Sequence, residues 1–412
     1  MKQNKKKIFN DPVYGFITIP HPLIFDLIEH PWFQRLRRIR QLGLTHMVYP
    51  GALHTRFHHA LGALHLMGQA IETLRSKGHE ITEDEALGTQ IAILLHDIGH
   101  SPFSHALEHS IVTGITHEQL SILYMERLNI EFNNQLSTAI SIFKNEYPKH
   151  FLHQLVSSQL DMDRLDYLNR DSFYTGVLEG KIGAQRIIKM LDIFEDRLVI
   201  EEKGVYSVEK FIIARRLMYW QVYLHKTVLS SEQLLVNILL RAKELTLKGD
   251  DLFASPILHL FLVNDFKYDD FITEKSLLAD FAMLDDYDIY ASIKVWVNHP
   301  DKVLARLCDG LVNRKLYKIK LQKDPFTKAD IQHYLSSAEV KFGISADEAH
   351  YFAFTGSISN SAYDPLEEQI HIQYRNGELI ELTAASDQLD VVLLSSPVKK
   401  YFICLLPELI EI

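Results

Sequence analysis

At 412 residues the chain is long enough for one large domain or two ordinary ones. Its 47% hydrophobic and 23% charged residues are those of an ordinary globular protein; no apolar run could span a bilayer and no h-region follows the basic start MKQNKKKIFNDP, so the expected compartment is cytoplasmic. The net charge of -10 argues against a broad DNA-binding surface, and the two cysteines, Cys308 and Cys404, sit outside any CxxC pattern and imply neither a disulfide framework nor a cysteine zinc site.

The segment NDPVYGFITIP reads as turns with a short extended pair. From His21, HPLIFDLIEHPWFQRLRRIRQL predicts two short helices broken before Pro31. The second carries Arg35, Arg37, Arg38 and Arg40, which on composition alone form a solvated face. Residues 43–54 read as a loop. From Thr55 to Leu74, Leu61, Leu64, Met67, Ile71 and Leu74 recur at helical spacing, with His58 and His59 in the first turn. Thr82 and Glu85 make a capping box for the next helix, which runs to about His100 and stops at Ser101-Pro102. Helices follow over 116–128, behind a Thr116 cap, and from Phe132 to Pro148. His153 to Arg170 reads as one helix, with Asp161, Asp163 and Asp166 inside it and Asp171 just beyond. A small hairpin is expected from Val199 to Val208, around Glu202-Lys203-Gly204, and then a long helical pattern, one helix or two, from Phe211 to Leu245.

A boundary falls at Lys248-Gly249-Asp250-Asp251. Residues 252–310 still read helical and acidic, but from Arg314 strands predominate: RKLYKIKLQ, EAHYFAFTGSIS, a hairpin in QIHIQYRNGELIEL turning at Asn376-Gly377, and VKKYFICLLP. The expected fold class is mainly α, with a helical core over 1–245 and a smaller α+β region over 246–412 that builds an oligomer interface or covers the site.

Chemistry concentrates at IAILLHDIGHSPFSH, Ile91 to His105. An apolar helix that ends in His96-Asp97, with His100 one turn on, buries polar groups that must be paired or bind something. Imidazole nitrogens and carboxylate oxygens together suit a divalent ion and leave room for water and substrate. One helix end supplies only part of such a shell, so His59 and Asp163, on flanking helices, complete the candidate set with His96 and Asp97. For His100 and His105, residue type and position alone favour a structural role at a helix end.

Several segments occur in one order: NDPVYGFI, PWFQRLRRIRQLG, YPGALHTRFHHALGA, HDIGHSPFSH, THEQ and DMDRLDYLNRD. Over roughly residues 5–245 this resembles the HD-domain phosphohydrolases of the deoxynucleoside triphosphate triphosphohydrolase type, a group that includes bacterial dGTPases and the vertebrate SAM-and-HD-domain dNTPase. No SAM domain is present. The resemblance implies that His59, His96, Asp97 and Asp163 hold a divalent metal (Mn, Mg, Fe or Co). It implies that His117, in THEQ, is the acid/base group, supported by Glu108, and that His100 and His105 contact phosphates. The implied reaction is attack of water on the α-phosphorus, releasing deoxynucleoside and intact triphosphate.

By the same resemblance Arg56, Arg164 and Arg215 face the phosphates. Gln41, Tyr167 and Asp171 hold the sugar, with Asp171 accepting from the 3′-hydroxyl and Leu42 and Tyr167 leaving no room for a 2′-hydroxyl. Tyr223 matches a base-stacking position. Tyr219 departs from the His of the vertebrate enzyme, so base preference does not carry over. In part of the family an effector nucleotide binds at a subunit interface. The matching positions here are Lys7, Asn10, Glu29, Gln34, Arg37, His225 and Lys226, with Glu29 replacing an Asp that reads guanine.

The leading expectation is therefore a metal-dependent dNTP triphosphohydrolase favouring dGTP, in a homo-oligomer of four or more chains, with a dNTP effector and no membrane partner. The alternatives are an HD phosphohydrolase acting on a deoxynucleoside monophosphate, cyclic nucleotide or alarmone, and, with little support from the charge, a nucleic-acid-binding protein or nuclease.

Overall fold

The computed structural model describes residues 7–103, 110–112, 114–365, 368–386 and 397–410. An antiparallel hairpin opens the chain, β1 (Ile8–Asp11) against β2 (Gly15–Thr18), with Asp11 opposite Gly15. Two short helices follow, α1 (Pro22–Glu29) and α2 (Pro31–Gln34), each capped by a histidine ring, His21 and His30. The arginine-rich stretch is a single 3-10 turn, Arg35–Arg38, and not a solvated helix face. Arg35 is fully buried: its Nε donates to the Leu284 carbonyl at 2.9 Å and its guanidinium lies over the Phe281 ring.

The core is built on α3 (Arg56–Ser76), α4 (Glu83–Leu95) and α8 (Met162–Thr175), with α3 packed between the other two. Small residues Ala60, Gly62, Ala63 and Ala70 let α3 bury most of its circumference, so its apolar positions do not form a narrow stripe. On α4, Ile91 to Leu95 are wholly inaccessible. The Thr82–Glu85 capping box forms as the sequence predicts, and the expected Thr116 cap at the start of α5 (His117–Glu131) forms as a box with Gln119.

Four expectations are corrected between 96 and 208. Helix α4 stops at Leu95, and His96 to His100 continue as turns. Between Phe132 and Pro148 only α6 (Ser137–Phe143) forms, because Asn133 and Asn134 take left-handed φ values of 55° and 64° and end the preceding helix. The single helix expected from His153 to Arg170 is two, α7 (His150–Val156) and α8. Asp161 makes the break: its carboxylate accepts from the amides of Ser158 and Arg164 and caps α8.

Helix α9 (Ala184–Met190) leads to β3 (Leu191–Phe194) and β4 (Arg197–Glu201). This hairpin lies earlier than the sequence suggested. Glu195 and Asp196 turn it with φ of 47° and 63°, the left-handed region that Asp enters more readily than Glu, and Glu202–Gly204 instead leads into α10 (Val205–Met218). The long pattern from Phe211 is two helices, α10 and α11 (Lys226–Leu247), joined by a π-helical turn, Tyr219–Tyr223.

The acidic stretch is helical: α12 (Pro256–Val263), α13 (Tyr268–Thr273), α14 (Lys275–Met283), α15 (Asp286–Trp296) and α16 (Lys302–Val312). Next come β5 (Lys318–Gln322), α17 (Lys328–Phe342), α18 (Ala346–Ala349), β6 (Ala353–Asn360), β7 (His371–Gln373), β8 (Leu379–Glu381), α19 (Leu382–Ala385) and β9 (Val398–Leu405). Strand β9 lies between β5 and β6, antiparallel to both. The β7–β8 hairpin turns at Gly377 and pairs β7 in parallel with β4. The chain is thus mainly α with smaller sheets, and one hydrophobic core runs from Ile17 to Leu409.

The C-terminal region fixes the site through Leu284–Asp286. Besides the Arg35 bond to the Leu284 carbonyl, Asp285 pairs with Arg38, and the Asp286 carboxylate accepts from the amides of Arg40 at 3.0 Å and Phe103 at 3.3 Å. That clasp anchors the segments on both sides of the HD turn.

Candidate metal centre and phosphate pocket

The ends of α3, α4 and α8 converge on three ligand atoms. His59 Nε2 lies 3.3 Å from His96 Nε2 and 3.0 Å from Asp163 Oδ1, and His96 Nε2 lies 3.4 Å from the same oxygen. Asp163 reaches them because the break at Asp161 starts α8 one residue before it.

The donor set fits a divalent ion in its chemistry as well as its spacing. His59 Nδ1–H donates to Asp166 Oδ2 at 2.7 Å, and His96 Nδ1–H donates to the Ile93 carbonyl at 2.6 Å. Each imidazole therefore presents a bare Nε2 lone pair to the shared point, as histidine ligands do. Burial acts to lower the His59 pKa, but Asp163 and Asp166 outweigh it and hold it at about 10. Without a cation of another kind at the centre, a proton fills that place.

Asp97 stands slightly apart. Its Oδ1 is 3.4 Å from His96 Nε2 and 3.1 Å from His100 Nε2, its Oδ2 is 3.8 Å from His59 Nε2, and Arg56 pairs with Oδ2. Burial pushes the Asp97 pKa up, yet His96, His100 and Arg56 hold the carboxyl well below its usual range. His100 is pushed down to about 3 by burial and by Arg56, so its ring is neutral. The rings of His100 and His117 stack at 3.8 Å. Gly99 permits this closeness: a Cβ there would sit 2.4 Å from both the His117 carbonyl and the Ser121 amide. His117 Nε2 lies 3.1 Å from Glu118 Oε1. His105 and Glu108 lie outside the described residues.

Next to the candidate metal trio lies a group of arginines and tyrosines. Arg164 and Tyr167 sit within electrostatic reach of Asp163, and Arg215 and Tyr219 sit within reach of Tyr167. The Arg215 guanidinium lies over the Tyr219 ring, which meets Tyr223 edge-on. Tyr223 also meets Tyr167 edge-on and donates its hydroxyl to Asp171 Oδ2 at 2.7 Å. Burial, then Asp171, raises the Tyr223 pKa well above normal, which keeps this donor protonated. Arg164 turns back on its own loop, its Nε donating to the Ser158 carbonyl at 2.6 Å. Gln41 and Leu42 are half-buried, and the Gln41 amide donates to the carbonyl of His54, two residues before α3, at 3.0 Å. The buried atoms Gln41 Oε1, His100 Nδ1 and Arg215 Nε have no hydrogen-bond partner among the described residues.

The positions matched to an effector fall into two groups. Arg37 Nε donates to Gln34 Oε1 at 2.8 Å, its guanidinium covers the Phe57 ring, and Glu29 is within electrostatic reach. Lys7 and Asn10 are exposed on the neighbouring hairpin segment. His225 and Lys226 open α11 beside Tyr49, and the contacts described for them touch none of the first group.

Residue-type reasoning left four participants without a role. Asp166 and Arg170 bond to each other and support His59 from behind. His54 bonds Asp171 at 2.8 Å, and Asp11 bonds Arg170 at 2.7 Å. The spacing of Asp166 and Arg170, four apart on one helix, was the available signal.

The region 56–171 matches the model of the family described as HD domain, and 182–257 matches the one described as HD associated region. Over 93% of its length the chain is 33% identical to an uncharacterized Bacillus subtilis protein, YwfO, of which it covers 89%. The crystal structure of a phosphohydrolase from Bacteroides thetaiotaomicron superposes with a TM-score of 0.94 at 56% identity, over 97% of this chain and 100% of that one. A Dictyostelium discoideum homolog of deoxynucleoside triphosphate triphosphohydrolase SAMHD1 is 30% identical over 61% of this chain, which spans 52% of that relative.

Proposed function

This chain belongs to the HD-domain phosphohydrolases, and we propose that its substrate is a deoxynucleoside triphosphate, cleaved to deoxynucleoside and inorganic triphosphate. One observation carries the reading. A metal-competent trio, His59, His96 and Asp163, stands beside Asp97, which pairs with buried Arg56 and lies 3.1 Å from His100, and Tyr167 links the trio's Asp163 to buried Arg215 and to Tyr223, whose hydroxyl binds the buried carboxylate Asp171. The SAMHD1-type relatives act on dNTPs by name and support the same assignment.

A divalent ion held by His59, His96 and Asp163, with Asp97 beside them, would polarise the α-phosphate and acidify the attacking water. The protein's own groups do the rest. Arg56 and Arg215 supply buried positive charge for the triphosphate. His100, neutral, keeps an Nδ1 with no partner among the described residues and so free for a phosphate oxygen's proton or water. His117, partly open to solvent and stacked on His100, delivers a proton to the 5′-oxygen as the P–O5′ bond breaks. Asp171 accepts from the 3′-hydroxyl, and Leu42 and Tyr167 flank the sugar. Tyr219 and Tyr223 present rings to the base. Within the class, dGTP is the first substrate to try. The reading extends to a homo-oligomer of four or more chains and to a dNTP effector held between subunits by Lys7, Asn10, Glu29, Gln34, Arg37, His225 and Lys226. Residues 246–412 cover the core through the Leu284–Asp286 clasp. Among the described residues no helix is long and apolar enough to cross a membrane.

The test is incubation of the purified protein with Mn or Mg and each dNTP, alone and in pairs, with products resolved by chromatography. Deoxynucleoside with intact triphosphate is expected, and rate gains confined to mixtures would reveal the effector. Monophosphate with pyrophosphate, or no turnover by metal-loaded protein, would overturn the reading and move the search to other nucleotides. Asp163→Ala should lose metal and turnover together, whereas His117→Ala should keep metal and lose about 100-fold or more in kcat.

A further inference from the structure

A buried chain of three charged side chains joins the N-terminal hairpin to the back of His59. Asp11, the last residue of β1, accepts the amides of Val13 and Tyr14 on Oδ1, at 2.9 Å each. Its Oδ2 is left for Arg170 Nη1, at 2.7 Å. Arg170 turns its other edge on Asp166, with Nε donating to Oδ2 at 2.9 Å and Nη2 to Oδ1 at 3.0 Å. Asp166 Oδ2 in turn accepts His59 Nδ1–H. Arg170, Asp166 and His59 are inaccessible to solvent, and Asp11 is 6% exposed. Tyr14, in the hairpin turn, lies beside the Arg170 guanidinium.

Helix α3 leaves room for this chain. A Cβ on Gly62 would stand 2.0 Å from Asp166 Oδ1 and 2.1 Å from Arg170 Nη2, so any side chain there would split the pair. Sealing one cation and two carboxylates away from water is expensive, and apolar residues of like volume would stabilise as well or better. The arrangement does give His59 something apolar residues cannot. A carboxylate on Nδ1 fixes the tautomer and the ring orientation of a ligating histidine. Arg170 grips both oxygens of that carboxylate and so fixes its plane. Asp11 balances the guanidinium and ties it to the hairpin.

We propose that the hairpin is a working part of the metal centre: Asp11 is a positioning residue that, through Arg170 and Asp166, holds His59 in its metal-binding orientation. The proposal rests on His59 being a ligand, which is tested separately.

The experiment titrates the full-length metal-free protein with Mn by calorimetry and records the visible spectrum of the Co(II) form. His59→Ala should abolish binding. Asp11→Asn, nearly isosteric, should raise the Mn dissociation constant about tenfold, within the range typical of residues that orient metal ligands, and should shift the Co(II) bands. Gly62→Ala should act in the same direction. Gly15→Ala covers the case in which Asp11→Asn does not fold. Gly15 faces Asp11 across the hairpin at a φ of +78° with nothing near its Cβ position, so alanine strains the turn and touches nothing else. It should weaken Mn binding about two- to threefold through the hairpin alone. Lost binding in His59→Ala with wild-type affinity and spectrum in Asp11→Asn, or in Gly15→Ala where that variant must stand in, overturns the hairpin's role alone. Full binding in His59→Ala overturns the ligand assignment, and the hairpin's role with it.

Discussion

His54 Nε2–H donates to Asp171 Oδ1 at 2.8 Å, while the Tyr223 hydroxyl occupies the other oxygen of the same carboxylate. Both His54 and Asp171 are buried, and the His54 ring stacks on Tyr174 at 4.4 Å. The carboxylate proposed to receive the sugar is thus aimed before any ligand arrives. His54→Ala should free it to rotate. We expect KM for dNTPs to rise about tenfold with kcat changed less than about twofold, the pattern of lost ground-state binding. Steady-state kinetics decides it, and a fall in kcat at constant KM would mean His54 acts on the chemistry instead.

Tyr223→Phe removes the second donor to Asp171 and keeps the ring. The predicted effect is a narrower gap between dNTP and NTP turnover, because a less constrained Asp171 tolerates a shifted ribose. Competition between a dNTP and its ribonucleotide reads this out. Unchanged discrimination would leave Leu42 and Tyr167 as the whole barrier to the 2′-hydroxyl.

Arg35 and Arg37 are neighbours in sequence with opposite expected costs. Arg35→Ala strips partners from the buried Leu284 carbonyl and opens a gap beside Phe281, so a loss of about 2–4 kcal/mol is expected. Arg37→Ala, at an exposed site, should stay within about 0.5 kcal/mol. Denaturant unfolding of the metal-free proteins compares them. Equal costs would contradict the clasp between the arginine turn and Leu284–Asp286.

The metal-free protein should lose stability in mild alkali. His59 is raised from 6.5 to about 10, so the folded state keeps a proton that the unfolded chain has already released. That stabilisation is complete below about pH 6.5 and drains as pH climbs toward about 10. A bound divalent ion requires neutral His59 and removes the dependence. Thermal unfolding at about pH 6.5 and about pH 9, with chelator or with Mn, should show the steeper fall in Tm only with chelator. Parallel slopes would argue against a proton at the shared ligand point.

Burial pushes both thiols up, and Cys308 and Cys404 are fully covered. Neither should react with a thiol reagent until the protein unfolds, and both should react then. Rapid labelling of the native protein would show that one of these core positions opens.

The sequence by itself determined whatever depends on residues a few positions apart. The capping box at Thr82, the cap at Thr116, the helical spacing of α3 and the turn at Gly377 are all short-range features. Their energies act within one or two turns, so spacing reveals them. The family's motifs likewise pointed to His59, His96 and Asp163, three residues the fold brings to one point. Other features waited on tertiary structure. Arg35 looked solvated until Leu284, 249 residues away, supplied its acceptor. His54 and Asp11 gained partners only when Asp171 and Arg170 folded against them. Burial and long-range pairing follow from which distant segments share a core, and no local pattern records that choice.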